Sequence, residues 1–213
     1  VSGDGEGERS IELSVSPLRD AAGELAGTVI ALRDVTDLRG LTRQMSYQAS
    51  HDALTGLVNR REFERRLQES LEEAHAGGAR HVLCYLDLDR FKAVNDECGH
   101  SAGDGMLREV AGLIKDAVRD SGDEFGILLA GCPLEKARQI ADDVVRSVGE
   151  FRFVWKDKIF TIGVSVGLVE ISRESGSLED LLGAADSACY VAKKQGGHVH
   201  VYSARDEAAA RGR

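Results

Sequence analysis

Asp87 and Asp89 close an apolar run that begins at His81, and Arg90, Phe91, Lys92, Asn95 and Asp96 follow directly behind them. Residues two apart on an extended strand share a face, so this run delivers two carboxylates to one place. Carboxylates held that close want a cation beside them, and for hard oxygen donors the expected ion is magnesium or manganese. A strand that ends where a helix begins is also where α/β folds collect ligands, because the helix start offers free N–H donors to phosphate. The competing reading is structural: a strand-terminal Asp that caps the next helix. A second acidic pair, Asp123 and Glu124, follows Gly122 ahead of the apolar stretch 125–130. Taken alone, Gly-Asp-Glu is a polar hairpin turn.

The elements that must position these groups follow from composition and periodicity. With 213 residues and 42% apolar content, the chain suits one large domain or a domain with part of another. The net charge of −9 offers no basic stripe to a nucleic-acid backbone, so nucleic acid is not a partner and any phosphate chemistry is local. Cys84, Cys98, Cys132 and Cys189 form no C-x-x-C pair and read as thiols of a reducing cytoplasm; the histidines show no metal-ligand spacing. No apolar run reaches the roughly 18 residues a membrane helix needs. The domain therefore reads as cytoplasmic, with attachment of the parent protein to the inner membrane left open.

Ile11, Leu13 and Val15 alternate with polar residues and predict a half-buried strand, followed by a turn over 21–24 and a second strand over 25–32. Two strands alone are marginal, so the hairpin reads as the end of a larger domain. Leu38, Leu41 and Met45 predict an amphipathic helix over 38–50 that could pair with a copy of itself. Further helices are predicted over 61–76, 91–97, from a loop at 99–104 to about Val118, over 134–148, and beyond Leu178. Strands are predicted over 81–88, 125–130, 151–155, 159–169 and 199–202. This alternation sets the class as α/β, and the charged stretch 203–213 reads as a helical linker.

The sequence Arg33-Asp34-Val35-Thr36-Asp37 resembles the end of a PAS sensor domain, whose final strand finishes in D-[IV]-T before a signalling helix. Five further motifs stand in order: Asp52-x-Leu54-Thr55-Gly56-Leu57-x-Asn59-Arg60, Asp87-x-Asp89-x-Phe91-Lys92-x-x-Asn95-Asp96, Gly99-His100-x-x-Gly103-Asp104, Gly122-Asp123-Glu124-Phe125 and Ala185-Asp186-x-Ala188-x-Tyr190-x-Ala192-Lys193. Together they resemble the GGDEF diguanylate cyclase family. The resemblance implies a central, mostly antiparallel sheet flanked by helices, of the nucleotidyl-cyclase and polymerase-palm type, behind a PAS hairpin fragment. It divides the chain into a PAS-like end (1–36), a signalling helix (37–50), a GGDEF domain (51–203) and the start of a linker (204–213).

The activity so implied is condensation of two GTP into cyclic di-GMP with release of pyrophosphate. By resemblance Asp87, the backbone carbonyl of Leu88 and Asp123 hold Mg2+ or Mn2+, and Glu124 assists them. Asp123 also stands at the family's position for a proton acceptor, a task to which a metal-bound carboxylate is poorly suited. Lys92 and Lys193 match phosphate-binding lysines, and the N–H groups near Phe91 and Lys92 add uncharged donors. Surface lysines are otherwise simply solvated. Asn95 and Asp104 match the readers of guanine; a carboxylate at Asp104 could accept both the ring N–H and the exocyclic amine, or it could only cap the third helix. One domain holds one GTP, so the resemblance also implies a homodimer that brings two sites face to face.

Two departures stand out. The family carries a strand ending in Arg-Leu-Gly before its signature turn, whereas here Arg119-Asp120-Ser121 runs straight into Gly122. Either the strand is truly deleted or the sequence omits several residues; omission is preferred, because deletion would leave 125–130 without a hairpin partner. The same place hides the family's inhibitory product site, of which Arg119 could be the arginine. Gly197 and His198 stand where Arg-Asn is usual, removing a phosphate contact. The alternative function is a degenerate domain that binds GTP or cyclic di-GMP and regulates a following EAL phosphodiesterase domain.

Overall fold

The computed structural model describes residues 9–114, 118–196 and 198–203, with the backbone course alone for 118–121. The chain divides into two compact units, Val1–Ala49 and Ser50–Arg213.

In the first unit β1 (Ile11–Arg19) pairs antiparallel with β2 (Leu25–Asp34). Gly23, at φ 84°, makes the turn, and Asp20 accepts from the backbone N–H groups of Ala22 and Glu24. The hairpin was expected to be half buried, but Leu13, Val15, Ile30 and Leu32 are all exposed, because two strands supply no second layer. Helix α1 (Thr36–Ser50) follows; Asp34 accepts from both the N–H and the hydroxyl of Thr36, at 3.0 and 2.6 Å, which gives the Asp-Val-Thr motif a capping role.

The second unit is built on a five-stranded sheet. Its elements are α2 (Arg60–Gly77), β3 (His81–Asp89), α3 (Phe91–Cys98), α4 (His100–Leu113), β4 (Val118–Ser121), β5 (Glu124–Leu129), α5 (Leu134–Glu150), β6 (Arg152–Trp155), β7 (Lys158–Thr161), β8 (Gly163–Ile171), α6 (Leu178–Lys194) and β9 (Val199–Val201). The strand order is β4-β5-β3-β8-β9, antiparallel except for the parallel pair β8 and β9. This is a mixed α/β fold with a mostly antiparallel sheet flanked by helices, as the sequence implied. Among the described residues no helix is long and apolar enough to cross a membrane.

Strand β3 lies at the centre because both of its faces are apolar. Val82, Cys84, Leu86 and Leu88 pack toward Met106, Leu107 and Val110 of α4 and Ala137 and Ala141 of α5. Leu83 and Tyr85 pack on the other side against Phe63 and Leu67 of α2 and Leu181 and Ala185 of α6. Each such fully buried side chain is worth about 1.5–3 kcal/mol in transfer free energy. The period of two then carries Asp87 onto the α6 side.

Three local expectations are corrected. The third helix does not run to Val118; it ends at Leu113, and 118–121 form β4, which pairs with β5 through Val118 and Gly126, Arg119 and Phe125, and Ser121 and Glu124. The hairpin partner is thus present in shortened form, and the argument that deletion would orphan β5 fails. Helix α4 also starts earlier than expected, at His100 after Gly99 (φ 82°), so Asp104 lies inside it and is not its N-cap. Finally, the stretch predicted as one strand over 159–169 is two: β7 pairs only with β6, and β8 joins the sheet.

Candidate active site

The site grows from the end of β3. There Asp87 is the cross-strand partner of Glu124, and the backbone N–H of Leu88 donates to the carbonyl of Asp123 at 3.2 Å. The hairpin turn is therefore tied directly to the strand end that carries the first two acids. Helix α6 closes the third side: Lys193 Nζ donates to Asp87 Oδ1 at 2.6 Å. Tyr85, Asp87, Glu124, Asp186, Tyr190 and Lys193 line a cavity of about 230 Å³.

The electrostatics follow from this crowding. Burial, reinforced by the Asp87 and Glu124 carboxylates, raises the Asp123 pKa above its usual value. Burial alone would lower Lys193, but its hydrogen bond to Asp87 and the charges of Asp87, Asp89 and Asp123 shift it upward, so it stays an ammonium. The Lys193–Asp87 pair is partly solvated, with side chains 46% and 23% exposed, which limits its worth to about 1 kcal/mol.

The donors here are carboxylate and carbonyl oxygens, the set a hard divalent cation takes. Among the described residues no group of three His, Cys, Asp or Glu is already arranged to hold a metal ion. Asp89 is drawn away from the cluster: Ser165 Oγ donates to its Oδ1 at 2.9 Å, and it leans over Gly163. The expectation that Asp87 and Asp89 act as one pair is thus modified, since they serve different cavities.

The other sequence-predicted residues lie on α3 and α4. Phe91 is buried in the core, so only its backbone is available at the start of α3, and Lys92 is exposed on the first turn of that helix. Asn95 reaches α4: its Oδ1 lies 2.0 Å from where a Cβ on Gly103 would stand, so only glycine permits this approach. Asp104 follows Gly103 on the exposed side of α4, which brings the two predicted base readers onto adjacent packed helices. The side chain of Arg119 lies outside the described residues. The motif at 52–60 turns out to be scaffolding: Asp52 accepts from the N–H and hydroxyl of Thr55 at 2.9 and 2.7 Å, Gly56 takes φ 71°, and Asn59 caps α2.

Sequence reasoning missed Tyr85, whose hydroxyl donates to Glu124 Oε2 at 3.1 Å. A tyrosine within an apolar run reads as core. The usable signal was its place two residues before Asp87, on the same face. Its cross-strand partners are Gly126 on β5 and Gly167 on β8.

A family profile described as "Diguanylate cyclase, GGDEF domain" matches residues 49–198, and one described as "PAS fold" matches residues 1–40. The chain is 41% identical over 211 residues to the "Probable diguanylate cyclase DgcE" of Escherichia coli, covering 95% of this chain and 19% of that protein. It is 34% identical over 207 residues to the "Cyclic di-GMP phosphodiesterase PdeB" of Shewanella oneidensis, covering 93% and 24% respectively. The chain thus spans only a small part of either relative. Among solved structures, the coiled coil and GGDEF domain of DgcB from Caulobacter crescentus in complex with c-di-GMP matches with TM-score 0.73 and 29% identity, over 78% of this chain and 93% of that one.

Proposed function

This chain belongs to the GGDEF diguanylate cyclase family, and on that premise we propose that its residues 51–203 condense two GTP into cyclic di-GMP. Residues 1–36 are the end of a PAS-like sensor and 37–50 a signalling helix; the expected linker over 204–213 lies outside the described residues. The observation that supports the activity best is the convergence of Asp87, Asp123, Glu124 and Lys193 where β3 ends.

In the reaction, the ribose 3′-oxygen of one GTP attacks the α-phosphorus of the other. The new P–O bond forms, the bond from the α-phosphorus to the bridging oxygen breaks, and pyrophosphate leaves with that oxygen. A divalent cation, Mg2+ or Mn2+, supplies charge neutralisation and lowers the pKa of the attacking hydroxyl. Asp87, the Leu88 carbonyl and Asp123 would hold it, and Glu124, steadied by Tyr85, would complete the acidic edge. Lys193 and Lys92 follow the phosphates as charge shifts to the leaving group. The N–H groups at Phe91 and Lys92 add donors at the start of α3. Asn95 and Asp104 read guanine, and the wrong base would leave their polar groups unpaired. Asp123 as proton acceptor is the secondary assignment.

Each domain carries one nucleotide, so closing the ring takes two copies, and the active form is a homodimer. Its substrate is a cytoplasmic nucleotide, which assigns the domain to the cytoplasm whether or not the parent is attached to the inner membrane. Incubating the protein with GTP and Mg2+ and separating the nucleotides by chromatography should yield cyclic di-GMP and pyrophosphate. GTP that is bound yet recovered intact would replace this reading by the regulatory one, in which the domain controls an adjacent EAL phosphodiesterase.

A further inference from the structure

Asp104, the acceptor expected for the guanine edge, stands between two glycines of α4, Gly103 and Gly105. Successive residues of an α-helix are about 100° apart, so the two glycines lie on nearly opposite sides of α4, with Asp104 midway between them and exposed. Both glycines are points of close contact. A Cβ at Gly103 would stand 2.0 Å from Asn95 Oδ1 and 3.1 Å from Phe91 Cζ, on the side of α3. A Cβ at Gly105 would stand 3.0 Å from Trp155 Cζ3 and 3.5 Å from Phe153 Cζ, on the side of β6. The first turns of α4 are therefore gripped between α3 and the β6–β7 hairpin, and that grip fixes the rotation at which Asp104 is presented.

The hairpin side of the grip is itself braced. Phe153 and Trp155 share one face of β6 and their rings stack, with centroids 5.9 Å apart and planes inclined by 23°. Phe153 is fully buried in the core, where its ring lies 6.4 Å from that of Phe160 across the hairpin. A two-residue turn, Lys156-Asp157, follows with Lys156 at φ 52°, and pairs Trp155 with Lys158. Lys158 Nζ also reaches Glu97 Oε2 of α3 at 3.2 Å, but both side chains are more than half exposed, so solvent screens this pair and the ring contact is what holds α4. As packing alone, a half-buried Trp against a glycine is ordinary; what distinguishes Trp155 is the helix position it touches, next to the residue that faces the base.

We propose that Trp155 is a specificity-determining positioning residue: pressed against Gly105, its indole fixes the rotation of α4 and so holds the Asp104 carboxylate square to the guanine edge. The inference rests on the GTP reading above and extends it to the β6–β7 hairpin, which none of the sequence motifs touches. A carboxylate accepts from the ring N–H and the exocyclic amine of guanine together only when both of its oxygens lie close to the plane of the base. A roll of α4 toward an emptied Trp155 position would leave the charge near the base and lose one of the two bonds. Inosine triphosphate keeps the ring N–H and lacks the amine, so its use relative to GTP reports whether the second bond is made.

The test is steady-state kinetics of the full chain with GTP and with inosine triphosphate, both in Mg2+. Wild type should prefer GTP about tenfold or more in kcat/KM, the factor expected of a hydrogen bond to a charged acceptor. Trp155→Ala should raise KM for GTP about tenfold, leave kcat within about twofold and bring the preference to within about twofold of unity, whereas Trp155→Phe, which keeps a flat ring, should restore it. Gly105→Ala, which sets a methyl against the indole, should lower the preference in the same direction and carries the test if Trp155→Ala unfolds. Variants that lose stability or kcat yet keep the wild-type preference overturn the proposal, as does a wild type that uses both nucleotides equally. If wild type binds GTP without converting it, the same ratios are expected in Kd by calorimetry, and their absence overturns the proposal; a wild type that binds neither nucleotide contradicts the GTP reading itself.

Discussion

At the scale of single residues, Asp123 is the most informative group, because its environment works against its charge. Its pKa is raised by burial and by the neighbouring Asp87 and Glu124. A raised carboxylate contributes stability that is complete below its unfolded pKa and is lost as pH rises through the folded value. With metal chelated, Asp123→Asn should therefore melt above wild type at neutral pH, and the two thermal midpoints should converge on acidification below the usual carboxylate range. The same substitution should lower cyclase activity about 100-fold, since a charge-stabilising ligand is worth several kcal/mol. Tyr85 acts through Glu124. A hydrogen bond to a charged group is worth about 1.5–3 kcal/mol, so Tyr85→Phe should raise the Mg2+ concentration for half-maximal activity about tenfold and leave the saturated rate nearly intact. Asp87 was legible because carboxylates end an apolar run, whereas Asp123 and Lys193 were legible only through the resemblance of their motifs to the family. Tyr85 was not, because its hydroxyl gains meaning only when β5 is paired in register and Glu124 comes within reach.

At the scale of elements, close approach rather than propensity sets the geometry. Gly103 exists to admit Asn95, whose Oδ1 lies 2.0 Å from where a Cβ would stand. Gly103→Ala should push the amide out of place, raising KM for GTP about tenfold and relaxing discrimination against other purine triphosphates; steady-state kinetics with GTP and ATP would check this. A Cβ added at Gly167 would stand 2.4 Å from the backbone N of Cys189, so Gly167→Ala must displace α6, the helix that carries Lys193. A cost of about 1–3 kcal/mol and a lowered thermal midpoint are expected. The helices and the central strand were readable from their periods of 3.6 and 2, but two boundaries were not. Gly99 starts α4 where a glycine reads as loop, and Val118 to Ser121 carry no turn signal to separate β4 from the preceding helix. At the second boundary the sheet, through β5 pairing, overrode local sequence preference.

At the scale of the molecule, the α/β class was legible from the order of the elements, and the mostly antiparallel sheet only through the family resemblance. The exposure of the first unit was not, because alternation predicts a buried face without saying what covers it. Helix α1 has no buried residue, and Leu38, Leu41 and Met45 are 57%, 59% and 69% exposed. Replacing all three by Ser should shift the sedimentation profile toward monomer and make specific activity fall off at higher protein concentration than in wild type. Unchanged oligomeric state and activity would remove the helix from the account. The account as a whole depends on Asp87 and Asp123 gripping one divalent ion beside the nucleotide. Titration of Mn2+ followed by electron paramagnetic resonance, with α,β-methylene GTP present, measures that grip directly. Wild type should bind the ion in a nucleotide-dependent way, and Asp87→Asn and Asp123→Asn should each weaken it about tenfold or more. Mn2+ binding that neither substitution alters would contradict the account.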